Sequence, residues 1–155
     1  MKKFKFALDT VLSYKQQALD ALRGEHAAIL AKVHAQEDVV GTLEQRYCDY
    51  NDEYRQRAEE GLPITDVLMY QSGLRAIEME IQRETLRLEA LREAEEKKRE
   101  EVVEAKKETS SIDKLKEHKQ TEYDKEVQKQ EEHFIEEFVT TRDAMARLSG
   151  RVSHA

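Results

Sequence analysis

Five histidines, one cysteine and many scattered carboxylates are the residues of this chain that could do chemistry. Hydrolytic zinc sites place two histidines four apart on one helical face with a general base between them, and structural zinc needs paired cysteines. His26, His34, His118, His133 and His154 form no such pair, and Cys48 stands alone. His133 and Glu137 lie four apart on one helical face, a spacing that serves a solvated ion pair better than a metal. The glycines are isolated, so no loop is built to cradle a phosphate. These residues predict no enzyme, no cofactor and no metal. A single cysteine allows no internal disulfide and suits a reducing compartment.

Two groups have recognition chemistry instead. Tyr47, Tyr50, Tyr54 and Tyr70 gather on either side of the only proline, Pro63. Tyrosines bury area while keeping a polar handle, so the group is either a partner surface or tight packing beside a turn. Far downstream, Phe134, Ile135, Phe138 and Val139 form an apolar cluster in a strongly charged segment, and such a cluster seeks a cover.

The elements that carry these groups are helices. From Leu8 to Tyr54, apolar and aromatic residues recur at alternating steps of four and three, interrupted only by Lys15, His26 and Gln36. A seam held over about six heptads imposes a left-handed coiled coil. Cys48 flanks this seam and reads as a small, semi-buried residue. Gly61-Leu62-Pro63 then ends the helix: glycine takes the left-handed closing position and proline cannot continue. Thr65 is the expected N-cap of the next helix, with Asp66 at its positive end. The same period resumes from Val67 to Ile112. So short a connection makes the two helices antiparallel neighbours.

The predicted fold is therefore all-α: a single antiparallel two-helix coiled-coil hairpin whose second helix is longer than the first. The expected spans are helix one over about 7–60, a turn at 61–65, helix two over about 66–148 and a frayed tail at 149–155. Folding at Pro63 sets Tyr54 against Tyr70, Leu43 against Ile81, His26 against Lys98 and Leu8 against Leu115. The polar layers around His26 and Ile29 should be the loosest part of the seam. At Thr109-Ser110-Ser111 the heptad phase slips, and the serines are either a kink or a pair of surface hydroxyls. Residues from Lys116 onward outrun helix one, which leaves Phe134 and its neighbours without an intrachain partner.

Composition sets the outer bounds. Of 155 residues, 39% are hydrophobic and 38% charged, which is too few apolar groups for a thick core but enough for a narrow seam. A net charge of −7 with both signs interspersed argues against nucleic acid. No apolar run approaches the ~20 residues needed to span a bilayer, and no signal-like segment follows Lys2, Lys3 and Lys5. A soluble cytoplasmic protein is expected.

The stretch Phe4-Lys5-Phe6-Ala7-Leu8-Asp9-Thr10-Val11-Leu12-Ser13-Tyr14-Lys15 resembles the opening of FliJ-type flagellar export proteins. Tyr50-Asn51-Asp52-Glu53-Tyr54 and Met69-Tyr70-Gln71 resemble the elements before and after that family's turn. The resemblance implies a cytoplasmic part of the flagellar type III export apparatus, peripheral at the inner membrane when assembled. It also implies a stalk-like coiled coil that binds the hexameric export ATPase, contacts the cytoplasmic domain of the export gate and escorts export chaperones. By position, Tyr50, Tyr54, Tyr70 and Ile77 would face the gate, with Gly73 standing where an aromatic is expected. No motif carries over the ATPase contact. Leu8, Leu12, Phe134 and Phe138 are assigned to it from the overhang alone. A stalk predicts a free monomer, whereas a homodimeric structural spacer, the competing reading, predicts a dimer.

Overall fold

The computed structural model describes residues 2–152, and among them the chain is two helices with no strand. α1 spans Asp9–Glu60 and α2 spans Ile64–Val152, 52 and 89 residues respectively. They run antiparallel and pack on each other, with the second helix the longer, as the heptad pattern requires. Between them Gly61 adopts a φ of 98°, and its N–H bonds to the carbonyl of Ala58. Pro63, not Thr65, caps α2. Its carbonyl accepts from the N–H groups of Asp66 (3.0 Å) and Val67 (3.1 Å). Proline suits the boundary because its fixed φ fits the first turn and it has no N–H to leave unpaired. At the far end, helix continues through Ser149 to Val152 where a frayed tail was expected. Residues 153–155, and with them His154, lie outside the described residues.

The chain divides into two compact units. The first comprises residues 17–106 and contains the hairpin turn. Its buried residues are Leu19, Val33, Val40, Leu43, Tyr70, Ile77, Glu84 and Leu88, every one a seam position. Val33, Val40 and Leu88 form one buried cluster, with Leu91 packed against it. Each such aliphatic side chain contributes roughly 1.5–3 kcal/mol by leaving water. The polar layers are closed rather than loose. Gln36 Nε2 donates to the carbonyl (3.0 Å) and carboxylate (2.7 Å) of Glu84, and His26 Nε2 donates to Glu95 at 2.8 Å. His26 thus meets Glu95 rather than Lys98, which turns to Glu25 and Glu101. A carboxylate is the better neighbour for imidazole than an ammonium, and diagonal seam positions are within reach of long side chains.

The second unit joins residues 2–16 to 107–152. Leu12 and Thr109 are buried in it, and the Thr109 hydroxyl points at the carbonyl of Lys15 (3.5 Å). α2 is unbroken at the serines, which favours the surface-hydroxyl reading over the kink, and Ser111 Oγ donates to the carbonyl of Lys107 (2.9 Å). Leu115 is 41% exposed and is not the partner of Leu8. Instead the covered face of α2 passes through Ile112, Lys116, Gln120, Tyr123 and Val127, all half-buried. Lys116 pairs with Asp9 at 2.7 Å. The segment before α1 carries the cover further than helix one alone would. The Phe4 ring lies 5.5 Å from that of Tyr123, whose hydroxyl donates to the carbonyl of Lys2 (2.6 Å).

Candidate partner-binding surfaces

In the first unit, the turn brings three tyrosine rings together in tilted contact. Tyr70 is buried at 3% exposure, with the rings of Tyr50 at 5.1 Å and Tyr54 at 5.4 Å. Its hydroxyl is fixed from both sides, accepting from Arg57 Nη1 (2.9 Å) and donating to Glu53 (3.3 Å). Tyr50 and Tyr54 are half-buried and keep one edge open. Tyr47 donates to Glu78 at 3.0 Å, and the phenol is held above its ordinary pKa chiefly by that bond. The family resemblance placed Tyr50, Tyr54, Tyr70 and Ile77 on one gate-facing surface, and the structure gives them different burial. Tyr70 and Ile77 (7% exposed) lie inside the seam as its support, and only Tyr50 and Tyr54 present area.

The periodicity passed over a neighbouring feature. Ile64, Leu68 and Met69 lie 58–71% exposed at the start of α2. They fall outside the seam phase, and that misfit is the signal by which they could have been found. Cys48 is exposed, not semi-buried, because its position beside the seam points outward.

In the second unit, the four residues assigned to the open end do not converge. Leu12 is buried at 4% exposure and serves the seam, and Leu8 is 39% exposed next to the Asp9–Lys116 pair. Phe134 lies roughly 27 Å farther along α2 than Lys116, at 1.5 Å rise per residue. There Phe134 (68%), Ile135 (59%), Phe138 (62%) and Val139 (48%) stand open to solvent. His133 approaches Glu137 to 3.7 Å as an exposed pair. Among the described residues no group of three or more His, Cys, Asp or Glu converges on a metal position, and no helix is long and apolar enough to cross a membrane.

Two long antiparallel helices with polar layers satisfied internally and spare aromatic and apolar side chains turned outward define an all-helical coiled-coil hairpin protein. The family model for the flagellar FliJ protein matches residues 4–146, and the chain belongs to that family. It is accordingly a component of the flagellar export apparatus. Comparison with curated proteins and with solved structures finds no match.

Proposed function

We propose that this chain is the stalk-like coiled coil of the export apparatus, working in the cytoplasm and peripheral to the inner membrane once assembled. The turn, with Tyr50 and Tyr54 at its surface, contacts the cytoplasmic domain of the export gate. The exposed face of α2 around Phe134 and Phe138 enters the hexameric export ATPase. Export chaperones are a further partner of the same helical surface. The observation that carries the reading is the open apolar face at Phe134–Val139 in a family whose members serve flagellar export. Contiguous exposed apolar patches mark sites of interaction with a partner. The test is co-purification of the full chain with the export ATPase, compared with a Phe134→Asp, Phe138→Asp variant. Retention of the wild type and loss of the variant support the reading, and equal retention of both overturns the placement of that face.

A further inference from the structure

The exposed end of α2 is not a random apolar patch. Phe134, Phe138, Thr141, Met145, Leu148 and Val152 follow one another at steps of four, three, four, three and four, and only Thr141 is not apolar. All six are exposed. An alternating four-three seam presents a stripe shaped for another helix rather than for a flat or globular surface. The stripe also continues an interface already built, following Tyr123 and Val127 on the α2 face covered by the antiparallel segment that ends at Lys2 and Phe4.

We propose that in the free protein this stripe is covered by the same stripe of a second copy, running antiparallel, so that each copy takes over where the other's own first segment stops. A two-fold axis beside Asp143 sets Phe134 against Val152, Phe138 against Leu148 and Thr141 against Met145 of the second copy. Each layer then occurs twice, and the two outer ones set a large ring opposite a smaller aliphatic group. The contact is isologous and closes on itself. Charge agrees with this arrangement, since Glu137 and Arg151 flank the stripe and meet across the interface at both ends. Arg142 meets its own copy near the axis, a like-charge contact that keeps the association modest. A parallel arrangement is disfavoured because it brings both Lys2–Phe6 segments to the same end of the pair, on the face the partner helix must occupy.

Dimerisation needs no ATPase, but it competes with ATPase binding. The face proposed to enter the ring is the face closed in the dimer, so the two states exclude each other. The free chain is then a dimer, against the monomer expected of a stalk, and the stalk is its dissociated form.

Sedimentation equilibrium on the full chain, from about 1 μM to about 1 mM, should show reversible dimerisation. Phe138→Asp should abolish it while the thermal transition of the hairpin itself is unchanged. Arg151→Glu should weaken it about tenfold, and adding Glu137→Arg should restore it. In a Cys48→Ser background, a Thr141→Cys chain mixed with a Met145→Cys chain should form the mixed disulfide. A monomer at every concentration, or a Met145→Cys chain that links to itself instead, overturns the proposal. ATPase co-purification with the same proteins keeps the two readings apart. A monomeric wild type that still loses the ATPase on Phe138→Asp defeats the dimer alone. A dimer that forms as described in a chain indifferent to the ATPase defeats the ring reading alone.

Discussion

Tyr50 lies across the bare backbone of Gly73. A Cβ added there would stand 2.7 Å from both Cε1 and the hydroxyl oxygen of the ring. Gly73 is therefore the place in α2 that lets Tyr50 fold flat and reach Tyr70 at 5.1 Å. The family resemblance set an aromatic at position 73, and here the aromatic surface is supplied from the other helix instead.

A double-mutant cycle reads this relationship. Glycine inside a helix is up to about 1 kcal/mol less favourable than alanine. In a Tyr50→Ala background, Gly73→Ala should recover most of that gain. With Tyr50 present it should recover little or become destabilising, because the ring must leave its place. The expected coupling is about 0.5 kcal/mol or more, measured by urea unfolding. Additive changes would mean that Tyr50 moves aside without loss and that its seat on Gly73 carries no energy.

The three clustered tyrosines should separate into two behaviours. Tyr50→Ala with Tyr54→Ala should leave most of the helical signal while weakening binding to the gate's cytoplasmic domain, roughly thirtyfold for each 2 kcal/mol of surface contact removed. Tyr70→Ala should act on the fold. It empties a buried aromatic site and strands the bonds from Arg57 and to Glu53, costing about 3 kcal/mol in thermal or urea unfolding. Melting of the helices in the Tyr50/Tyr54 variant would assign those rings to the seam instead.

The sequence made the seam legible because a heptad is a strong periodic signal. Every residue the structure buries, from Leu12 to Thr109, stood at a position the pattern marked. What it hid was not periodic. The Lys2–Phe6 segment is not helical, so nothing in its spacing announced that Phe4 would cover Tyr123. Partner choice within a layer was also hidden, because long side chains reach diagonally: His26 was set against Lys98 and bonds Glu95. Burial within the tyrosine group depended on Gly73, whose missing side chain leaves no mark in a hydrophobic pattern. The cap at Pro63 was missed because threonine is the stronger capping type, yet the helix is capped two residues earlier.

Two seam carboxylates should give the hairpin an acid limit. Glu95 is held below the ordinary carboxylate value of 4.5, first by the hydrogen bond from His26 and then by Arg99. Glu84 is held below it by Gln36, with Arg87 and Arg83 adding to the effect. A group whose pKa is lower in the folded than in the unfolded chain stabilises the fold above the unfolded value. That contribution is lost as pH falls through the folded one. Thermal unfolding should therefore move to lower temperature as pH drops below about 4.5. Glu84→Gln with Glu95→Gln should lower stability at neutral pH and flatten the acid limb. An acid limb as steep in the variant as in the wild type would place the effect on other carboxylates.

The end of α2 offers the sharpest division between fold and function. Beyond Val127 no side chain of the described seam is covered by the chain's own first segment, and Phe134 and Phe138 are more than 60% exposed. A helix of this composition gains little from propensity alone and stays marginal without packing. Truncation after Gln130 should thus leave the transition of the remaining hairpin unchanged, measured at a low, matched concentration where self-association does not contribute. The same truncation should reduce ATPase binding, and swarming motility with it, because it removes the apolar face that outruns helix one. Should the truncated chain melt at a clearly lower temperature yet still bind the ATPase in full, those residues support the fold and the ring contact lies elsewhere.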